Sequence, residues 1–190
     1  MRVCEKRLVT ALVFLLAAAW LAFHVPRQPW AAAGALLAAA CAGTTLPDLD
    51  LVLGLGHRSG LTHSVLPAAL CGRRRWWVVA AGLLLGIGLH LAADLFPNAM
   101  RGFALIKLPE VGSIGRNGTY WWLGANLVLA LAGGVLLTAR SVPARLAAPV
   151  LSAVALVGAA YLFRTGGGWI PLLLFAGAGW LCFRRRRPAQ

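Results

Sequence analysis

The chain has 190 residues, 60% of them hydrophobic and only 12% charged, with a mean hydropathy of +0.77, a balance that excludes an ordinary water-soluble domain. Its net charge of +13 would suit a nucleic-acid binder, but the 18 basic residues stand at the ends of apolar runs and not along one face. They read as membrane anchors, so the expected partners are lipids and no nucleic acid.

Apolar runs follow one another along the chain: Leu8–Phe23, Trp30–Leu46, Leu61–Cys71, Trp76–Phe96, Tyr120–Ala139, Leu146–Phe163 and Trp169–Phe183. Several approach the ~20 residues a helix needs to cross a bilayer, and lipid requires backbone amides to be satisfied within their own segment. The expectation is an all-α, polytopic transmembrane bundle of six to seven hydrophobic helices, one of them short or re-entrant, forming a single integral domain over 1–190. The basic head and apolar body of "MRVCEKRLVTALVFLLAAAWLAF" resemble a signal peptide, with Ala31 to Ala33 imitating a cleavage site. The apolar stretch is longer than a usual signal core, which favours an uncleaved first span.

Between the second and fourth runs lies "LPDLDLVLGLGHRSGLTHS". Pro47 disfavours helix at Leu46 and ends the second span, so an extended Asp48-Leu49-Asp50 would turn both carboxylates to one side. A solvated helix exit is the plain alternative. Ser59 is placed to cap a new helix with His63 in its first turn, and His57 sits in a glycine-flanked loop, as a ligand or as a solvated residue.

In "GLLLGIGLHLAADLF", Gly82, Gly86, His90 and Asp94 recur every fourth residue and form one stripe of one helix. Either a neighbouring helix packs on the glycines while the His-Asp pair points at an ion, or the stripe is a packing seam ending in a hydrogen-bonded pair. Six of the nine carboxylates and histidines (Asp48, Asp50, His57, His63, His90 and Asp94) thus fall between residues 48 and 94. Each costs ~2.5 to 3.5 kcal/mol near membrane depth on the insertion scale, and one divalent ion compensates carboxylate and imidazole together.

Convergence sets a topological condition. Were Leu61–Cys71 a surface loop, His90 would lie roughly 21 Å along its helix from the side holding Asp48. The site therefore requires Leu61–Arg75 to form a short crossing or re-entrant helix. The charge rule pulls the other way: six spans would put 13 basic residues on the cytoplasmic side and five outside, whereas seven split them eight to ten.

Arg73 to Arg75, Arg184 to Arg187, Trp76, Trp77, Trp121 and Trp122 read as interfacial anchors. "EVGSIGRNGTYWW" reads as an exposed loop, with a turn at Asn117 to Thr119 before a helix in which Asn126 bonds across to a neighbour. Cys4, Cys41, Cys71 and Cys182 are too dispersed for a disulfide framework or a cysteine zinc site. The last two spans, within 120–183, carry no acid or histidine and read as anchors and shields.

From Leu46 to Pro109, about a third of the chain, the sequence resembles the membrane-bound metal-dependent hydrolases labelled LexA-binding and inner-membrane-associated. The matching elements are Pro47-Asp48-Leu49-Asp50; His57, Arg58, Gly60, Thr62, His63 and Ser64; His90 with Asp94; and Gly102, Leu105 and a displaced Pro109. The family is more remotely similar to zinc-dependent phospholipases C. The resemblance implies a metal-site core over 46–109, with Asp48, Asp50, His63, His90 and Asp94 as ligands of Zn²⁺ or a similar divalent ion. It further implies that Asp50 or His57 moves protons and that Arg58, with Arg101, steadies charge on a phosphoester or lipid-like substrate. The Thr-His pair that family members carry near the first helix is missing, which leaves one ion expected. Two rival readings stand beside this one: an ion or proton relay, and a structural or regulatory protein whose polar cluster sets helix register.

Overall fold

The computed structural model describes residues 2–24, 28–96 and 100–165, with 172, 173, 176, 177, 180 and 184. The span expected at Trp169–Phe183, the turn before it and Arg185 to Arg187 lie largely or wholly outside the described residues. The protein is mostly helical: α1 Arg2–His24, α2 Pro29–Gly43, a single turn α3 Leu66–Ala69, α4 Trp77–Leu95, α5 Gly115–Ser141 and α6 Ala144–Thr165. A two-residue-per-strand hairpin, β1 Lys107–Leu108 and β2 Gly112–Ser113, precedes α5. Among the described residues four helices are long and apolar enough to cross a membrane, and α2 is a shorter apolar helix of 15 residues.

Helix α4 is the hub, because its sequence is apolar on all sides and small on one. A Cβ on Gly82 would stand 2.2 Å from the Leu36 carbonyl oxygen, and one on Gly86 2.1 Å from that of Ala40. The backbones of α2 and α4 therefore touch, and the paired numbers rise together, so the two helices run parallel. On another face Gly88 meets Leu131 and Gly134 meets Leu85, an antiparallel match to α5, while Leu89 fills the notch at Gly158 of α6.

Parallel α2 and α4 force the intervening chain back along α4, about 20 Å for the thirteen residues from His90 to Trp77. Residues 65–72 make this return between α4 and α5, where they share a cavity wall with Ala80, Leu84, Leu129 and Leu137. The return expected of Leu61–Arg75 is present, but its helix is corrected to the one turn α3. Pro67 starts that turn and Gly72 follows it, and Leu66, Ala69, Leu70 and Gly72 are exposed, so few of its residues find the packing face that would extend a helix.

Three other local expectations are corrected. Residues Pro47–Asp50 form a 3₁₀ turn, so Asp48 and Asp50 do not share an extended face. Ser59 caps no helix; it makes a parallel bridge to Lys107. Asn117 to Thr119 lie inside the first turns of α5, where the Thr119 hydroxyl donates to the Gly115 carbonyl and accepts from the Ile106 amide.

Candidate metal centre

One end of the bundle gathers the start of α1, the C-terminal ends of α2 and α4, the start of α5 and the end of α6. Here Arg7 pairs with Asp48, the His90 ring meets the Thr44 carbonyl, and Tyr161 reaches His90. The stripe seen in the sequence is what aims α4: with Gly82 and Gly86 flush on α2, His90 and Asp94 emerge where α2 ends.

Three donors converge. His63 Nε2 is 3.3 Å and His90 Nε2 3.5 Å from the same oxygen, Asp94 Oδ2, and the two ring centroids are 5.4 Å apart. His63 and His90 are buried, at 2% and 5% exposure. One ligand atom from each of the three residues fits within 4.8 Å of the others, so this trio can hold a metal ion. Donor atoms around a tetrahedral ion with bonds of ~2.0–2.2 Å stand about 3.3–3.6 Å apart, a range that includes both of these edges.

The surrounding hydrogen bonds fix which ring nitrogen carries the proton. A carbonyl oxygen only accepts, so the contact of His90 Nδ1 with Thr44 O, 2.9 Å, makes Nδ1 the donor. His63 Nδ1 faces Ser59 O at 3.2 Å and the Thr62 hydroxyl at 3.1 Å, and that hydroxyl already donates to Ser59 O. Nδ1 is again the donor. In the neutral rings both Nε2 atoms then present lone pairs to a carboxylate oxygen, and His90 Nε2 is buried without a hydrogen bond among the described residues. Three electron-rich atoms facing one another need a cation or added protons between them.

The other residues are disposed around this focus. Asp48 stands at its edge, with Oδ1 4.0 Å from His90 Nε2 and Oδ2 on Arg7. Asp50 is fully buried behind His63: its Oδ1 accepts from the Leu51 amide, its Oδ2 from the Ser59 amide, and it lies 3.7 Å from the Nδ1 side of the ring. It is not among the converging donors; its hydrogen bonds hold the Ser59 backbone, whose carbonyl in turn faces the His63 ring. His57 is half-buried against the Phe103 ring, and Arg101 is exposed.

Arg58 is committed to the protein itself. One guanidinium nitrogen donates to Asp94 Oδ1 at 2.8 Å, the other to the Ala104 carbonyl at 2.8 Å. Its backbone is left-handed, φ +59°, a conformation that costs a non-glycine residue roughly 1–2 kcal/mol. Pairing of Arg58 O with the Lys107 amide and of the Gly60 amide with Lys107 O holds it there. The segment Gly102–Pro109 is thus the strap that locks Arg58 onto Asp94.

Two contributors escaped the sequence reading. The Tyr161 hydroxyl lies 3.1 Å from His90 Nδ1 and 3.4 Å from Thr44 O, so α6 supports the site and does not only shield it. Trp122, expected at the membrane interface, donates its indole N–H to the His63 carbonyl at 2.9 Å. Asn126 does bond across, to the Val65 amide, and so pins the returning segment. No family model, curated protein or solved structure matches this chain.

Proposed function

We propose that this protein is a metal-dependent hydrolase of the cytoplasmic membrane, multi-pass, with its site at the end of the bundle that holds the N-terminus. In this reading seven hydrophobic segments traverse the bilayer, the return over 61–75 among them. The observation that carries it is the convergence of two imidazole Nε2 atoms and a carboxylate oxygen on one point, each ring braced from behind. His63, His90 and Asp94 would hold one Zn²⁺ or similar ion, which acidifies bound water toward ~7 when present. Asp48 at the rim, with Oδ1 4.0 Å from His90 Nε2, would accept a proton released there. Arg58 is a positioning residue: it orients Asp94 and offsets part of its charge. The membrane setting, and the remote similarity to phospholipases C of the family the sequence resembles, favour a phosphoester or lipid-like substrate, an inference of class only.

Detergent-purified protein should carry near one zinc per chain by elemental analysis. His90→Ala should remove it, and a chromogenic phosphodiester should turn over only in the metal-loaded protein. Metal-free protein of undiminished thermal stability would overturn the metal centre in favour of a purely structural cluster. Metal binding with ion flux across liposomes and no hydrolysis would instead favour a relay.

A further inference from the structure

The opposite end of the bundle differs in kind. A cavity of about 280 Å³ opens there between Leu21 and Ala22 of α1, Ala32 of α2, the turn before α4 and the end of α5, and Arg74, Arg75 and Arg140 line it. All five carboxylates of the sequence lie elsewhere: Glu5 in the first turn of α1, Asp48, Asp50 and Asp94 at the other end, and Glu110 in the β1–β2 hairpin. Among the described residues none of the three arginines has a salt bridge. Ser141, which also lines the cavity, has a buried hydroxyl without a hydrogen-bond partner among the described residues.

Beside this cavity runs an apolar groove of about 750 Å³, walled by Leu16, Trp20, Phe23 and Trp76, with Leu21 common to both. Arg75 sits at the junction, its guanidinium 5.7 Å from the Phe23 ring centre and 5.6 Å from that of Trp76. These stacks hold the charge at the mouth of the groove.

We propose that the two spaces form one site for an anionic lipid, its phosphate bound by Arg74, Arg75, Arg140 and the Ser141 hydroxyl and an acyl chain lying along the groove. Guanidinium forks match phosphate oxygens, and basic pockets at helix ends suit anionic headgroups. A free phosphate would satisfy the cations alone; the adjoining apolar groove is what points to a lipid.

The test uses the full chain in detergent, scored by native mass spectrometry and thermal unfolding with phosphatidylglycerol, phosphatidylcholine or inorganic phosphate. Phosphatidylglycerol should stay bound near one per chain and raise the unfolding temperature. Arg75→Gln with Arg140→Gln should weaken it at least about tenfold, the loss expected from removing charge-assisted hydrogen bonds. Arg145→Gln, outside the cavity, should leave binding unchanged. Equal retention of phosphatidylcholine, or equal loss in Arg145→Gln, would overturn a specific anionic site. Inorganic phosphate that displaces the lipid and reproduces its stabilisation would overturn the lipid assignment.

Discussion

The two ends of this bundle use the same side chain to opposite effect. At the N-terminal end Arg58 is 7% exposed, held in a strained backbone conformation and tied to Asp94, and Arg7 is tied to Asp48. At the other end Arg74, Arg75 and Arg140 are exposed, rest on aromatic rings or cavity walls, and meet no carboxylate among the described residues. A guanidinium beside a buried carboxylate is part of the interior and its removal strands a charge. One that faces outward remains solvated, and its removal strands nothing. The lesson is that net charge says little until each cation has been assigned a partner.

The sharpest break in this comparison is to neutralise one group at each end. Asp94→Ala leaves Arg58 buried without its anion, and the expected cost is ~3 kcal/mol or more, with loss of bound metal. Arg74→Gln should change stability by less than ~0.5 kcal/mol, as exposed substitutions do. Chemical denaturation in detergent micelles compares the two. A similar cost at both ends would show that the arginine end is also an internally paired structure.

A second prediction concerns the seam that joins the two ends. Gly86→Ala places a methyl against the Ala40 carbonyl, so α2 must move off α4 and carry Thr44 away from His90. Overpacking of this kind costs about 1–3 kcal/mol, and zinc affinity should fall with it. Gly124→Ala, in α5, meets nothing within 4 Å among the described residues, so it should lower neither stability nor zinc affinity. If Gly86→Ala lowered stability but not zinc affinity, the seam would hold the bundle together without aiming the site.

How much of this was legible in the sequence follows from the range over which each signal acts. The i, i+4 recurrence of Gly82, Gly86, His90 and Asp94 is local, and it identified both the packing face and two of the three converging donors. His63 came from its place in a motif, and its distance from α4 in sequence hid how the chain returns. The return itself could be deduced from the need to bring Asp48 and His90 together, but not its conformation, since a largely exposed turn laid against α4 and α5 is held by the few contacts those helices offer, such as Asn126 on the Val65 amide, which its own residues do not announce. Asp50 was misplaced because a Pro-Asp-Leu-Asp segment is compatible with both extended and 3₁₀ geometry, and only the waiting amides of Leu51 and Ser59 decide between them. Tyr161 and Trp122 gave no signal at all: an aromatic residue in an apolar helix looks like an anchor until the carbonyl or ring it bonds is known.

Tyr161 supplies the smallest and most diagnostic test. Its hydroxyl shares the His90 Nδ1 proton with the Thr44 carbonyl, and with Thr44 O already at 2.9 Å the ring keeps its tautomer when the hydroxyl is removed. Tyr161→Phe preserves the ring packing of α6 and deletes only the outer hydrogen bond. Partners of this sort are worth about 10–100-fold in metal affinity, and the retained Thr44 bond puts the expectation near tenfold, with thermal stability shifted little. Competition with a zinc-chelating dye measures it directly. A loss of stability with unchanged zinc affinity would mean that Tyr161 only fastens α6 to the bundle, and the arginine end should not respond in either case, because the hydroxyl contacts Thr44 and His90 at the opposite end.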